Sequence, residues 1–270
     1  MTTKRLTNIM RKEWRVMVSD MNTLLLVILV PFLIVGQAIL YIWLAQNFAG
    51  EIIIDTPIFQ TALEKLRLAL PEVSGLSSMY QVRVLLLSQF NFFLLLIPTM
   101  IAMNSAAFSI VDEKLSRSLE PLLATPVRTW ELLLGKALSG AIPAMIMTWI
   151  CGGVFILAVM GMGWGSLVSY VVNPSFFLFL FLLTPVIVAL SFLLGVIGSS
   201  RAKDSRSAQN VALLIIFPMF GLIAVQDTGL IWFTPLLTLI LGLVLCLIDV
   251  LVLRMAVKLF QRESIVVRWR

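Results

Sequence analysis

The chain has 270 residues, of which 60% are hydrophobic and 13% are charged. Soluble domains are about 45–50% apolar and about 25% charged, so a soluble fold could not cover this much apolar surface. Histidine is absent, which excludes catalytic triads, histidine proton relays and zinc sites that need imidazole. Cys151 and Cys246 both lie in apolar runs, which excludes a disulfide-rich secreted scaffold. The composition indicates an integral membrane protein that carries out no covalent chemistry.

Residues 1–20 predict an amphipathic helix at the membrane surface. One helical face is apolar and the other is polar and basic. The apolar face comprises Leu6, Ile9, Met10, Trp14 and Met17, and the polar face comprises Arg5, Asn8, Arg11, Lys12 and Arg15. We expect the helix to lie in the inner headgroup layer with its apolar side in lipid. Two roles remain open for it: a generic juxtamembrane anchor, or an elbow that transmits force into the first span.

The apolar stretch Thr23–Leu44 that follows is longer than the core of about 7–15 residues found in a signal peptide, so we expect no cleavage there. A helix needs about 20 apolar residues to cross about 30 Å of hydrocarbon. The uncharged run Ala137–Ser200 is long enough for two crossings, with turn residues at Gly161–Gly165 and Asn173-Pro174 between them. The predicted spans are 22–46, 84–110, 137–161, 175–199, 208–226 and 232–256, which makes an all-α polytopic membrane protein with six transmembrane helices.

The basic residues are distributed unequally between the two sides of this arrangement. Of the 20 Lys and Arg residues, only Lys65, Arg67 and Arg83 fall on the side opposite the termini, which leaves 17 on the termini's side. Cytoplasmic segments of membrane proteins carry the excess of Lys and Arg. We therefore expect both termini to be cytoplasmic, in a multi-pass protein of the cell membrane.

Two further segments between spans have a distinct pattern. The predicted extracytoplasmic loop 47–82 contains an amphipathic pattern from Ile58 to Leu70 that ends at Pro71. Segment 226–235 is short and rich in helix breakers, which indicates a partly re-entrant turn before the last span.

Asp249 is the exception to the near absence of charge within the predicted spans. A carboxylate inside a membrane is costly and is usually paired or functional. Arg254 is a candidate ion-pair partner, a hydrogen bond to another helix is an alternative, and a functional role is a third reading. One carboxylate without histidine or a second acid makes a poor proton relay, which disfavours ion-coupled transport.

Segment 112–136, on the predicted cytoplasmic side after the second span, interleaves charges with leucines. Pro121 would break a helix at an interior position, so we expect one helix to end near Leu119 and a second to begin at Glu120. Thr129 can cap a third helix. The residues alone leave a docking helix and an ordinary amphipathic loop equally open.

This segment reads D-E-K-L-S-R-S-L-E-P-L-L-A-T-P-V-R-T-W-E-L-L-L-G-K, and it resembles the cytoplasmic signature of type-2 ABC export permeases, the membrane subunits of ATP-binding-cassette exporters. The matching residues are Glu113, Glu120, Leu122, Thr125, Pro126, Glu131, Gly135 and Lys136. Arg117-Ser118 stands where Gly-Thr is common in that family. The order of the amphipathic helix, the spans and the breaker-rich segment is also similar to that family.

The resemblance implies one permease domain over 1–270, with a coupling helix in 112–136 that docks on a separate ATPase subunit. The residues implied to contact the ATPase are Glu113, Arg117, Glu120, Leu122, Leu123, Thr125, Pro126 and Arg128. It further implies a second permease copy or paralogue, and ATP and Mg²⁺ bound by the partner. We expect no cofactor in this chain, because its only Gly-Lys, Gly135-Lys136, is followed by Ala137 and lacks the rest of a phosphate-binding loop.

The predicted function is outward transport of a hydrophobic or amphipathic substrate, with no nucleic-acid partner. The alternatives are an ion-coupled secondary transporter, an intramembrane lipid-modifying enzyme and a non-transporting scaffold. A secondary transporter is expected to show inverted repeats with clustered buried charges. An enzyme is expected to gather acids or nucleophiles at one interface, whereas Asp249 stands alone in this sequence.

Overall fold

The computed structural model describes residues 2–48, 56–115, 129–201, 217–218, 220–222, 224–226 and 232–259. All elements within these ranges are helical. They are α1 Thr2–Ser19, α2 Met21–Phe48, α3 Pro57–Ala69, α4 Ser78–Leu115, α5 Thr129–Gly161, α6 Val168–Val171, α7 Pro174–Leu178, α8 Thr184–Arg201 and α9 Pro235–Leu259, with 3-10 turns at Pro71–Gly75 and Gly165–Leu167 and a π-helical turn at Phe179–Leu183. The predicted all-α class is confirmed over these residues.

Five of the described helical segments are long and apolar enough to cross a membrane. They are Met21–Leu44, Ser78–Ala106, Leu134–Gly161, Pro174–Ser199 and Pro235–Val257. These segments correspond to five of the six predicted spans. Of the remaining one, 208–226, the structure describes only 217–218, 220–222 and 224–226, so the count of six stays a prediction.

Helix α4 forms the centre of the bundle. In the most apolar 18-residue stretch of its span, 89% of the residues are buried, against 28% in the corresponding stretch of α2 and 11% in that of α9. It packs on α8, α5, α2 and α3. Helix α4 is also the least apolar of the five spans and buries Gln81, Gln89 and Asn91, whereas the more apolar peripheral helices α2 and α9 expose leucine-rich faces.

The segment α7–α8 runs parallel to α4. Phe92 meets Phe179 edge to face with ring centroids 4.9 Å apart. Further along both helices, Ala106 packs so closely on Gly195 that a β-carbon at Gly195 would lie 2.8 Å from Ala106 Cβ. The absence of a side chain at Gly195 therefore permits this helix contact.

Helix α5 runs antiparallel to α4. Phe90, near the start of α4, stacks on Phe155 near the end of α5. Ser105, further along α4, packs against Gly140 in the first half of α5. The predicted break after α5 is present: Gly163 has a φ of 81°, and Asn173 Oδ1 accepts a hydrogen bond from Phe176 N at 3.1 Å at the start of α7.

Helix α9 runs parallel to α7–α8. Ser175 Oγ donates to Phe233 O at 3.3 Å just before α9 begins. Leu182 then packs against Gly242 further along. We call the end of the bundle that holds α1, the start of α5 and the last turns of α8 the basic end. The opposite end, with the start of α4, residues 162–173 and the start of α9, is the distal end.

Candidate functional site

Most of the predicted docking residues lie outside the described residues. They are Arg117, Glu120, Leu122, Leu123, Thr125, Pro126 and Arg128, all within 116–128. Glu113 lies in the last turn of α4, where the backbone alone is described, and segment 226–235 is also only partly described. The docking assignment therefore stays a prediction. The structure does describe the last part of the same motif, Glu131, Gly135 and Lys136 at the start of α5.

Two of these motif residues are charged and buried. Glu131 and Lys136 are each 3% exposed. Glu131 lies in the first turn of α5, where the helix dipole favours a negative charge. A buried charge is costly unless it is paired, so both side chains require compensation from a neighbouring element.

Helix α1 supplies that compensation, because it places a charge of opposite sign beside each of the two residues. Arg5 Nη1 lies 3.6 Å from Glu131 Oε2. Two turns further along α1, Glu13 Oε1 lies 3.8 Å from Lys136 Nζ and 3.9 Å from the exposed Lys12 Nζ. The positive-then-negative order on α1 thus meets a negative-then-positive order on α5.

Helices α1 and α5 also pack closely between the two ion pairs. Ile9 lies against Gly135, where a β-carbon would be 2.9 Å from Ile9 Cγ2. One turn beyond Lys136, Trp14 Nε1 donates a hydrogen bond to Ser139 O at 2.9 Å. Both helices advance in the same direction through these contacts, so they pack parallel. We call this set of contacts the α1–α5 junction; it comprises Arg5, Ile9, Glu13 and Trp14 of α1 with Glu131, Gly135, Lys136 and Ser139 of α5.

The junction adds protein contacts to the predicted surroundings of α1. The predicted apolar face is half-buried in the structure, but its described contacts are with protein: Ile9 and Trp14 contact α5, and Met17 packs against the main core cluster. Arg5, predicted on the polar face, turns towards Glu131. The reason is geometric, because the start of α5 lies beside α1 and offers both apolar surface and buried charge.

Glu13 is the functional-site residue that sequence reasoning missed. Its signal was present, because Arg5, Ile9 and Glu13 are four residues apart and therefore form one stripe, which runs along the border between the polar and apolar faces of α1. Their order of charge, apolar and opposite charge mirrors that of Glu131, Gly135 and Lys136. Only the knowledge that the two segments lie side by side turns this pattern into a contact.

Asp20 joins the junction to the first span. It is the single residue between α1 and α2. Its carboxylate accepts hydrogen bonds from Thr23 N at 3.1 Å, from Asn22 N at 3.3 Å and from the Thr23 hydroxyl. The Thr23 hydroxyl is the main reason that the pKa of Asp20 is lowered from its usual value. The charged carboxylate caps α2 and fixes its start relative to α1.

Asp249 lies on the half-buried side of α9, and its Oδ1 has no hydrogen-bond partner among the described residues. An ion pair with the candidate partner Arg254 is not among the described ion pairs, and Arg254 is exposed. Five residues correspond to a rotation of about 140° around a helix, so the two side chains leave α9 in different directions. The described residues contain no group of three or more His, Cys, Asp or Glu that could hold a metal ion.

Comparisons with known proteins give the family. The family model described as ABC-2 family transporter protein matches residues 7–239, which include most of α1, the junction apart from Arg5, and the described helices from α2 to the start of α9. The curated proteins and the solved structures contain no match to the chain. Together with the apolar helices, the family match shows that the chain is a multi-pass membrane transport protein. The chain belongs to the ABC-2 family of transporter proteins.

Proposed function

We propose that the chain is the permease subunit of an ATP-driven exporter that moves a hydrophobic or amphipathic substrate outward. The ATP, with Mg²⁺, is bound and hydrolysed by a separate subunit that docks on segment 112–136. The family match supports the transport role. The observation that carries the mechanical part is the α1–α5 junction, because its buried Glu131 and Lys136 hold the end of the proposed docking segment against α1.

The junction suits the transmission of movement. A displacement of the docking segment reaches α5 at Thr129, and the two ion pairs and the Ile9–Gly135 contact couple that point to α1. Helix α1 continues through Asp20 into α2. A force applied at one cytoplasmic segment would thus act on two spans together. This arrangement favours the force-transmitting elbow over the generic anchor as the role of α1.

The directions of the described helices support the predicted six spans with cytoplasmic termini. Helix α8 ends at Arg201 at the basic end, whereas α9 begins at Pro235 beside the distal-end residue Ser175. The chain between them has to return across the bundle, and it contains the uncharged stretch Ser207–Gln226. A fifth span at 208–226 meets this requirement, and it places α1 and the end of α9 on the same, basic side.

The scarcity of acidic residues in the described spans also supports an energy source outside the chain. Asp249 is the only acidic residue in the five described spans. Proton relays in transporters use several titratable groups in sequence. The described spans thus favour ATP hydrolysed by a partner over ion coupling as the energy source.

The test is copurification of the tagged chain from its native membranes, in wild-type form and as the variant Glu120→Ala/Leu122→Ala/Leu123→Ala. We expect the wild type to bring down a chain with a G-x-x-x-x-G-K-[ST] motif and ATPase activity, and the triple variant to lose both, because the leucines form the apolar centre of the proposed contact. The control is Leu68→Ala, a 77% exposed position on α3 that is not part of the docking segment. Full retention of the ATPase by the triple variant, or ATP hydrolysis by the isolated permease, would contradict the proposal.

A further inference from the structure

Arg83 is a charged residue that the transport proposal does not use. It lies near the start of α4, at the distal end, five residues into the span Ser78–Ala106. This span has 29 residues and is about 43 Å long, some 13 Å longer than a hydrocarbon core of about 30 Å. Centred in the bilayer, it places Arg83, about 7 Å from its start, close to the boundary between hydrocarbon and headgroups.

Two aromatic rings lie beside the Arg83 guanidinium. Its central carbon is 4.8 Å from the centroid of Tyr80 and 5.4 Å from that of Trp164. Trp164 is buried at 7% exposure, while Tyr80 is 43% exposed, so the surroundings are closed on the Trp164 side and open on the Tyr80 side. The rings attract the cation through their faces, but a ring face accepts no strong hydrogen bond.

The guanidinium lacks an acceptor among the described residues. Arg83 Nε is buried, and no hydrogen bond or ion pair involving Arg83 is present in the described parts of the chain. Arg67, the neighbouring distal arginine, differs: its Nε donates to Gln81 Oε1 at 2.8 Å, and Gln81 Nε2 donates in turn to Leu76 O at 2.8 Å. A buried charged donor without an acceptor is destabilising, so Arg83 has a hydrogen-bonding capacity that the described chain does not use.

We propose that Arg83, with Tyr80 and Trp164, forms a binding site for a phosphate-bearing anionic headgroup at the distal end of the bundle. Guanidinium is planar and donates parallel hydrogen bonds that match a phosphate group. Tyr and Trp are enriched at the headgroup level of membranes, where one side of the ring contacts lipid and the other contacts polar groups. The level of Arg83, its open Tyr80 side and its unused donors all fit a headgroup that enters from the surrounding leaflet.

The site does not depend on an ATPase partner or on transport, so its test uses the full-length chain alone in a neutral detergent. The probes are dioctanoyl phosphatidylglycerol, which is anionic, and dioctanoyl phosphatidylcholine, which has the same acyl chains and a zwitterionic headgroup. Binding is measured by native mass spectrometry and by the shift in thermal unfolding midpoint. The variants are Arg83→Gln, which removes the charge, and Arg83→Lys, which keeps the charge but loses the planar donor pair. Arg67→Gln is the matched control, since it removes a distal arginine that already has an acceptor.

We expect wild type and Arg67→Gln to bind phosphatidylglycerol equally well and about tenfold more tightly than phosphatidylcholine. Arg83→Gln should lose about tenfold in phosphatidylglycerol affinity, and Arg83→Lys should fall between, as the loss of a charge-assisted hydrogen bond predicts. Equal losses in Arg83→Gln and Arg67→Gln would overturn the proposal, because they would indicate only the general charge of the distal end. Equal binding of the two lipids by the wild type would also overturn it.

A competition arm separates the two sources of such a headgroup. Glycerol 3-phosphate is added in excess to the wild-type complex with phosphatidylglycerol. Displacement would assign the recognition to the phosphate itself, so a free phosphorylated solute could occupy the site. Retention of the lipid would assign the site to a membrane lipid, whose acyl chains contribute to binding. Both results keep the proposal, provided that Arg83→Gln lowers the affinity and Arg67→Gln does not.

Discussion

The charged residues at the two ends of the bundle have different kinds of partner. At the basic end, Glu131 and Lys136 are buried and each meets an opposite charge from α1. At the distal end, Arg83 meets two aromatic rings and has no acceptor among the described residues. A charge that the chain itself neutralises can hold two helices together, whereas a charge with unused donors can hold a ligand. This difference assigns a mechanical role to the first end and a binding role to the second.

The largest effect on this comparison is expected from Glu13→Gln, which removes the carboxylate that lies 3.8 Å from Lys136. Removing one partner of a buried pair leaves the other charge poorly compensated, so we expect a loss of about 2 kcal/mol in stability. Thermal unfolding in detergent measures this loss, and limited proteolysis near α1 reports whether the helix detaches from α5.

The matched control for Glu13→Gln is Lys12→Gln. Lys12 lies 3.9 Å from the same carboxylate but has a 56% exposed side chain, so its ion pair is worth at most about 1 kcal/mol. Equal unfolding midpoints for the two variants would show that burial of Lys136 gives its pair no special weight. In that case, the contrast between the ends would rest on packing alone.

A smaller effect is expected from Gly135→Ala, which tests the packing between the two ion pairs. The added β-carbon would lie 2.9 Å from Ile9 Cγ2 and 3.1 Å from Ile9 Cβ. These atoms are close to the backbone of a stiff β-branched residue, so α1 itself has to shift. We expect a loss of about 1 kcal/mol, within the range for overpacking, and recovery when Ile9→Ala is added to the same chain.

Gly153→Ala on the same helix provides the control for Gly135→Ala. No atom lies within 4 Å of a β-carbon at Gly153, and alanine stabilises a helix interior by about 0.5–1 kcal/mol relative to glycine. The two substitutions are therefore expected to change the unfolding midpoint in opposite directions. Stabilisation by both would contradict close contact between α1 and α5.

Sequence patterns predicted the features that depend on neighbours along the chain. The break between α5 and α7 follows from Gly163 and Asn173-Pro174, whose backbone preferences act locally. The apolar face of α1 follows from helical periodicity. The pattern does not determine whether lipid or protein covers an apolar face, because both offer an apolar surface. The pattern therefore predicted the apolar face of α1 but not the contacts of Ile9 and Trp14 with α5.

The sequence alone did not predict contacts between segments that are far apart along the chain. Tyr80 and Trp164 flank Arg83 only because the start of α4 lies near the connection that follows α5. Glu13 pairs with Lys136 across 123 positions for a similar reason. The resemblance to export permeases did predict the family, because its motif combines residue identity with spacing and does not require three-dimensional contacts.

The smallest effect is expected at Asp20, the exposed acid at the basic end that is compensated by hydrogen bonds and not by an ion pair. The Thr23 hydroxyl, followed by backbone donors, lowers its pKa from the usual 3.8. A lowered pKa in the folded state means that the stabilisation is complete above pH 3.8 and is lost as the pH falls through the lower folded value. Asp20→Asn retains a good capping side chain, so its difference from wild type in unfolding midpoint should be small at pH 7 and should shrink towards pH 3.

Thr23→Val sharpens this test, because it removes the largest cause of the lowered pKa while leaving the backbone donors of Asn22 and Thr23 in place. The folded pKa of Asp20 should then rise towards 3.8, so the acid-induced loss of stability should be smaller than in the wild type and should be complete at a higher pH. Identical pH profiles for the wild type and Thr23→Val would mean that the hydroxyl does not tune this cap. Asp20 would then be compensated by the backbone donors of Asn22 and Thr23 alone, and the contrast of the basic end with Arg83 would depend on its ion pairs and on these backbone donors.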